Sequence, residues 1–223
     1  MFLKELLFPS RCFVCKRISK DPICDDCLSK ISPIKGPMCR ICGSPLEVEM
    51  ICYRCKTFPP YFSKARSYAL YDGVMRTAII RFKFEKRKDL GVFLGKILGK
   101  FVLELAWDVD FIVPIPLSKE RLRTRGFNQA EVLALEVSKI LNVPMSLSLI
   151  RIKETKPSID LNIEERLNNI SRAFLLKDNS LKDKKVLLID DVYTTGATTN
   201  EASKILLERG IKEVRVITLA REL

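Results

Sequence analysis

Histidine is absent from all 223 residues of this chain, and cysteine is absent from its last three quarters. Without imidazole, the chain has no histidine to act as a general base or as a metal ligand. No apolar run reaches the roughly 18 residues that a membrane-spanning helix requires. The first nine residues also lack the apolar core and cleavage site of a signal peptide. We therefore expect a cytoplasmic protein without membrane insertion, with the inner face of the membrane as one place of action.

The chain is strongly basic. Lysine and arginine total 39 against 27 acidic residues, which gives a formal net charge of +12. An excess of this size favours anionic partners, which include phosphates, nucleic acids and membrane surfaces. The alternative is that the charge serves only solubility. The net charge alone does not identify the partner, so the sequence motifs have to be considered.

Two regions differ in composition. Residues 1–58 hold every cysteine among many turn-forming residues, and such a segment needs staples because it is too small to bury a sufficient core. Residues 59–223 alternate strand-like apolar runs with helical periodicity, which predicts an α/β domain with a mainly parallel sheet flanked by helices. Ligands of such sheets bind at the carboxyl ends of strands. The expected strands are 67–71, 111–115, 149–151, 173–177, 186–189 and 213–219, and the expected helices are 75–82, 90–105, 130–141 and 197–209.

The eight cysteines form four Cys-x-x-Cys pairs. Each pair presents two thiolates from a tight turn, and two pairs supply the four tetrahedral ligands that zinc prefers. Iron–sulfur ligation is the alternative, and a reducing compartment argues against disulfides. One zinc ion for each successive set of four is the preferred arrangement, with a cross-braced arrangement as the alternative. The sets are Cys12, Cys15, Cys24 and Cys27, and Cys39, Cys42, Cys52 and Cys55.

Three roles are open for this cysteine-rich head. Zinc can serve only to fold it, or the folded head can dock another protein. The third role is binding of single-stranded nucleic acid, because basic residues interleaved with aromatic ones suit backbone contact and base stacking. The residues expected on that surface are Arg11, Lys16, Arg17, Lys20, Arg40, Arg54 and Lys56, with Phe13, Tyr53 and Phe58.

The most informative segment is 186–198, Val-Leu-Leu-Ile-Asp-Asp-Val-Tyr-Thr-Thr-Gly-Ala-Thr. Backbone N–H groups at a helix start bind phosphate, and two carboxylates suit the vicinal hydroxyls of a sugar. A pair of aspartates alone would indicate a solvated turn or a helix cap. The apolar strand before it and the hydroxyl-rich loop after it favour a sugar-phosphate site instead. Its residues are Asp190, Asp191, Thr194, Thr195, Gly196, Ala197 and Thr198.

This segment resembles the phosphoribosyl pyrophosphate (PRPP) signature of type I phosphoribosyltransferases. The resemblance implies that Asp190 and Asp191 hold the 2- and 3-hydroxyls of ribose. It implies that residues 194–198 hold the 5-phosphate. It also implies that Mg²⁺ bridges pyrophosphate and ribose oxygens, mostly through the ligand and water rather than through a protein cage.

A second phosphate-binding element is expected after the strand at 111–115. A loop there carries four cations within seven residues, and arginine is well shaped for two-point contact with phosphate. Alone it would indicate a solvated basic loop, but in this fold it is the expected pyrophosphate site. Lys119, with Asp190 and Asp191, forms the expected catalytic set. The pyrophosphate residues are Leu117, Ser118, Lys119, Arg121, Arg123 and Arg125, to which the resemblance adds Lys83.

Together these features resemble the ComF family of competence proteins over nearly the whole chain. Besides the cysteine-rich head and the PRPP segment, the matching motifs lie at 114–116, 125–130, 165–169 and 173–174. The resemblance implies a role in natural transformation, alongside a DNA helicase and recombination proteins. Two departures stand out. Ser118 stands where the family often has histidine, and Ser158, in a predicted mobile hood at 153–169, where it often has glutamine.

Three functions are therefore weighed. The preferred one is a PRPP-binding competence protein that assists uptake and handling of incoming single-stranded DNA. The first alternative is an active phosphoribosyltransferase of nucleotide or small-molecule metabolism with no DNA role. The second alternative is a non-catalytic DNA-binding module that uses PRPP only as a structural ligand. The motif does not separate binding from turnover, because both need the same residues.

Overall fold

The computed structural model describes residues 10–153, 170 and 172–223. Its cysteine-rich part consists of two similar small units in succession. Each unit contains a short helix: α1, Asp25–Leu28, in the first, and α2, Tyr53–Thr57, in the second. The N-caps of these helices are Cys24 and Cys52. The second Cys-x-x-Cys pair of each unit is thus presented by the start of a helix.

The main sheet is parallel throughout, as the sequence predicts. The strands are β1 Lys64–Leu70, β2 Phe111–Pro114, β3 Leu149–Arg151, β4 Phe174–Leu176, β5 Lys185–Tyr193 and β6 Glu213–Arg221. Four of them lie side by side in the order β1, β6, β5, β2. The short strands β3 and β4 pair with each other in antiparallel orientation as a separate two-stranded sheet.

β5 is longer than the strand expected at 186–189. It continues through the two aspartates because β6 keeps pairing with it: Asp190 lies opposite Thr218, and Tyr193 lies opposite Arg221. The aspartates, which are the sixth and seventh of the nine residues of β5, therefore belong to the strand instead of following it. Strand pairing fixes their backbone, which restricts the directions that their carboxylates can take.

Among the described residues after the cysteine-rich part, the helices are α3 Gly73–Phe84, α4 Lys88–Leu105, α5 Lys119–Arg125, α6 Gln129–Leu141 and α7 Ala197–Glu208. The prediction of a loop carrying the four cations after β2 is wrong, because α5 forms there. Ser118 Oγ caps it by accepting a hydrogen bond from the Arg121 N–H at 3.4 Å, and Gly126 ends it with φ +79°. In the described part of the chain, no helix has the length and apolar character that a bilayer crossing needs.

The two cysteine-rich units pack on opposite faces of the main sheet. Leu187 and Ile189 of β5 belong to the core on one face, which also includes Cys12 and Cys27 of the first unit. Val186 and Leu188, which alternate with them, belong to the core on the other face, together with Cys39, Cys42 and Cys55 of the second unit. Between the units, residues 32–34 run along β1, where the Leu70 N–H donates to the Ser32 carbonyl at 2.9 Å. Both units are thus part of the packed body of the protein.

Candidate functional site

Each cysteine-rich unit brings four thiols together. Tetrahedral zinc with bonds of about 2.3 Å separates its sulfur ligands by about 3.8 Å. The Cys15–Cys24 and Cys42–Cys52 Sγ distances are 3.6 and 3.8 Å. The thiols therefore fit one structural zinc ion per unit, which confirms the successive arrangement over the cross-braced one. The Sγ atoms lie within 4.8 Å of one another in each set: Cys12, Cys15, Cys24 and Cys27 in the first, and Cys39, Cys42, Cys52 and Cys55 in the second.

The electrostatics of the thiols also favour a cation. Cys39 Sγ accepts hydrogen bonds from the N–H groups of Cys42 and Cys52, both at 3.4 Å. Burial opposes ionisation of Cys39, but these backbone donors outweigh it and lower the pKa of its thiol to about 6. Burial and the neighbouring thiols raise the pKa of Cys27 to about 12. Four thiols this close do not all ionise unless a metal ion neutralises them.

The loop after β5 has the geometry of a phosphate-binding turn. Gly196 is the N-cap of α7 with φ +74°, and a Cβ there would lie 2.2 Å from the Tyr193 hydroxyl oxygen. Only glycine allows the loop to fold back on this ring. The open depression beside it includes five of the seven residues predicted for ribose 5-phosphate. Its lining is Asp190, Val192, Tyr193, Thr194, Gly196, Ala197, Thr198 and Thr199.

Lys83 pairs with Asp191, and its charge also acts on Asp190. Lys83, near the end of α3, places its Nζ 2.7 Å from Asp191 Oδ1, with the two side chains only 16% and 11% exposed. Burial raises the pKa of Asp190 to about 7, and the charge of Asp191 adds to this effect, while Lys83 and the Asp191 N–H oppose it. That N–H donates to Asp190 Oδ1 at 2.8 Å. Hydroxyl donors or a further cation would therefore be favourable at this carboxyl pair.

α5 divides the predicted pyrophosphate residues between two sides. Arg121 and Arg125, one turn apart, are partly buried, whereas Lys119 and Arg123, also one turn apart, are exposed. The helix therefore does not present all four cations to one point. Of the three remaining predicted residues, Leu117 is partly buried, Ser118 is the buried cap of the helix, and Lys83 lies on α3 beside Asp191.

Arg125 is the cation of α5 that the structure connects to the aspartates. Burial lowers the pKa of Arg125, and the negative charges of Asp191 and Asp190 oppose that shift. Its Nη1 donates to Gln129 Oε1 at 2.8 Å, which fixes the guanidinium against the start of α6. Lys83 and Arg125 thus supply positive charge to the aspartates from two helices that are distant in sequence.

The second cysteine-rich unit contacts the phosphate loop directly. Arg54 of α2 donates through Nη2 to the carbonyl oxygen of Thr195. At the end of β6, Arg221 donates through Nη1 to the Cys42 carbonyl oxygen at 3.0 Å, and its guanidinium lies 4.2 Å from the centre of the Tyr193 ring. Sequence reasoning missed Arg221 and Tyr193, because contacts between residues so far apart in sequence leave no local pattern.

The residues predicted for nucleic-acid contact are not equally available. The guanidinium of Arg87 lies 4.2 Å from the centre of the Phe13 ring, and Phe13 packs against the core. Tyr53 and Phe58 are 82% and 75% exposed. Tyr53 is the first residue of α2 and Phe58 is its C-cap, so the second unit presents two aromatic rings at the same short helix that contacts the phosphate loop.

Comparison with known proteins places the chain in a family. A double zinc ribbon domain matches residues 3–56, and a phosphoribosyl transferase domain matches residues 127–223. Competence protein ComFC of Bacillus subtilis (strain 168) is 34% identical over 197 residues, 85% of this chain and 80% of that protein. Competence protein F of Haemophilus influenzae is 32% identical over 226 residues, 96% of this chain and 98% of that protein. The chain belongs to the ComF family.

This chain is also similar to a protein whose name does not mention competence. DNA utilization protein YhgH of Escherichia coli (strain K12) is 29% identical over 228 residues, 98% of this chain and all of that protein. The predicted phosphoribosyltransferase fold with an N-terminal double zinc ribbon is confirmed. Ser118, the first departure from the pattern of the resemblance, caps α5. The second departure, Ser158, and the predicted hood at 153–169 lie outside the described residues, except for Lys153.

Proposed function

We propose that this ComF-family protein binds PRPP and assists the uptake and handling of incoming single-stranded DNA in natural transformation. Its relatives are named as competence and DNA utilization proteins, which supports a role in competence. The observation that carries the PRPP part is the contact of Lys83 with Asp191, because it sets a cation beside two carboxylates at the mouth of a phosphate loop. PRPP has the matching order of groups, with ribose hydroxyls between two phosphate ends.

In this proposal each part of PRPP has its own residues. Asp190 and Asp191 accept hydrogen bonds from the ribose hydroxyls. Backbone N–H groups and hydroxyls of residues 194–198 bind the 5-phosphate at the N-terminus of α7, where the helix dipole favours negative charge. Magnesium bound with PRPP would neutralise part of the pyrophosphate charge. Lys83, Arg125 and Arg121 are the best-placed pyrophosphate ligands, and the exposed Lys119 and Arg123 extend the same charge outward.

Transfer from PRPP would break the bond between ribose C1 and pyrophosphate, and the bonding electron pair would leave with the pyrophosphate. An acceptor nucleophile would form the new bond to C1. Positive charge builds on the sugar ring as the bond breaks, so aspartates that fix the ribose and cations that hold the leaving group would lower the barrier. Release of pyrophosphate in the presence of an acceptor would distinguish turnover from PRPP binding alone.

PRPP affinity should depend on pH through Asp190. Ribose hydroxyls donate to the ionised carboxylate, so binding must remove the proton that Asp190 holds below its pKa of about 7. We expect affinity to rise with pH up to about 7 and to level off above it, with binding about tenfold weaker at pH 6 than on the plateau. Calorimetry at pH 6.5 in two buffers of different ionisation enthalpy should show proton release. A profile that is flat between pH 6 and 8 contradicts this role.

Asp190→Asn is the control for that pH profile, because PRPP also titrates near pH 6. The variant leaves the titration of PRPP unchanged and removes the carboxylate, so the difference between the two profiles belongs to Asp190.

The raised pKa of Asp190 also has a consequence for folding. Because the folded-state pKa lies above its ordinary value of 3.8, ionisation of Asp190 opposes folding, and stability falls as pH rises from about 4 towards 7.

The proposed DNA contact is expected on the exposed side of α2. Base stacking on an aromatic side chain contributes about 1–3 kcal/mol per base, so replacing both Tyr53 and Phe58 by alanine should weaken single-stranded DNA binding by about 30-fold. The salt dependence should change little, because no phosphate contact is removed. Fluorescence anisotropy with a labelled oligonucleotide at several salt concentrations measures both quantities.

Ile18→Ala is a matched control for the aromatic pair, since Ile18 is 69% exposed on the first cysteine-rich unit. It should leave DNA affinity unchanged. Equal affinity of the Tyr53 and Phe58 double variant and the wild type would rule out this surface. In that case DNA would either bind to basic residues on another face or not bind at all, and the net charge of +12 would then not reflect contact through α2.

A further inference from the structure

The second cysteine-rich unit, called the second zinc ribbon from here on, contacts the phosphate loop and, through Arg221, the strand residue before it. One contact runs from Arg54 in α2 to the carbonyl oxygen of Thr195. The other runs from the Cys42 carbonyl oxygen through Arg221 to the ring of Tyr193. Both starting points belong to the four-cysteine site: Cys42 is one of its thiols, and α2 has Cys52 as its N-cap and contains Cys55.

The contact with Thr195 constrains the direction of the next amide. In a trans peptide the C=O and the following N–H point in opposite directions. When Arg54 holds the Thr195 carbonyl on the ribbon side, the Gly196 N–H points away from the ribbon. Gly196 lines the depression in which the proposed 5-phosphate lies. A guanidinium on the ribbon therefore favours the loop conformation that offers backbone donors to a phosphate.

The second contact acts on the loop through the Tyr193 ring, which lies against Gly196. Tyr193 is 6% exposed, and its hydroxyl lies where a side chain at position 196 would be. Arg221 is 5% exposed and stacks over this ring, while Phe62 meets the ring edge-on at a centroid distance of 6.3 Å. Burial of this kind leaves few alternative positions for the ring, so the ribbon, the ring and the loop are expected to move as one unit.

We propose that the second zinc ribbon is a structural component of the phosphate site and that Arg54 is a positioning residue for the loop. This inference rests on the proposed function for the identity of the ligand, but the contact with Thr195 does not. It assigns the ribbon a task beyond folding and beyond nucleic-acid contact. The expected consequence is that the 5-phosphate end of the ligand senses the ribbon, while the pyrophosphate end does not.

The test compares Arg54→Ala, Arg54→Lys and Arg40→Ala in the full-length, zinc-loaded protein. Arg40 is the matched control, because it lies on the same ribbon and its side chain pairs only loosely with Glu49, at 3.4 Å. Affinity is measured separately for ribose 5-phosphate and for pyrophosphate with magnesium, and native mass spectrometry checks the zinc content. Amide hydrogen exchange of residues 194–198 is followed without ligand.

We expect Arg54→Ala to weaken ribose 5-phosphate binding by about 5- to 10-fold, the size of one hydrogen bond, and to leave pyrophosphate binding unchanged. Exchange in residues 194–198 should become faster, and Arg54→Lys should restore part of both effects. Arg40→Ala should behave as the wild type. If Arg54→Ala matches Arg40→Ala in exchange, the inference is overturned. If the wild type binds neither ligand, the proposed function fails, and the exchange measurement still decides whether Arg54 positions the loop.

Discussion

Replacing Asp190 and Asp191 by alanine is expected to abolish magnesium-dependent PRPP binding. The two carboxylates are the proposed acceptors for the ribose hydroxyls, and each charge-assisted hydrogen bond contributes about 1.5–3 kcal/mol. Loss of both should weaken binding by about 100-fold or more, which calorimetry would register as no measurable heat. Lys83 and Arg125 remain in the variant, so pyrophosphate alone should still bind to it. The Lys83 side chain should be less ordered there, because it has lost its ion pair with Asp191.

The control for this variant is an aspartate–lysine pair at the opposite end of the same strand. Asp108 pairs with Lys185 at the start of β5, and Asp108→Ala should leave PRPP affinity unchanged. Asp190→Asn separates binding from stability: it should reduce affinity, while its melting temperature at pH 8 should not fall, because ionisation of the partly buried Asp190 opposes folding there. Unchanged PRPP affinity of the double alanine variant would refute the assignment of this site.

Loss of the second zinc site is expected to have the largest effect on stability. Cys39→Ser combined with Cys42→Ser removes two ligands that lie in the same core as Val186 and Leu188 of β5. Structural zinc contributes about 10–16 kcal/mol to folding in small zinc-finger peptides. If even a third of that is lost here, the melting temperature should fall by about 10 °C or more. Native mass spectrometry should find two zinc ions in the wild type and one in the variant.

Zinc removal by a chelator is the companion experiment. It should lower the melting temperature of the wild type, and added zinc should restore it. The double serine variant should not recover with added zinc, because its second site lacks two of four ligands. If the double serine variant retains two zinc ions, or has the melting temperature of the wild type, the second zinc ribbon does not have this structural role.

Local patterns in the sequence predicted much of this molecule. Cysteine spacing is a short-range property, so it identified all eight thiols that the structure gathers into two sets. The apolar run before Asp190 and the threonines and glycine after Asp191 predicted a strand, a loop and a helix, because each depends on neighbouring residues only. Periodic apolar residues predicted α3, α4 and α6 for the same reason.

Features that depend on distant residues were beyond local patterns. The length of β5 is set by its pairing with β6, so the aspartates could not be placed within the strand from 186–198 alone. The contact between Arg221 and Cys42 joins opposite ends of the chain. The raised pKa of Asp190 follows from burial, which no motif reveals. α5 is different, since Ser118 and Gly126 are ordinary helix-capping residues that could have indicated it.

We propose that this ComF-family protein binds PRPP at the carboxyl end of β5. The most direct test is a calorimetric titration of PRPP, with and without magnesium, into the folded protein loaded with zinc, at a pH above 7 where Asp190 is ionised. We expect saturable binding to one site with micromolar affinity, dependent on magnesium. No detectable binding in a sample shown to be folded and to carry two zinc ions would contradict the proposal.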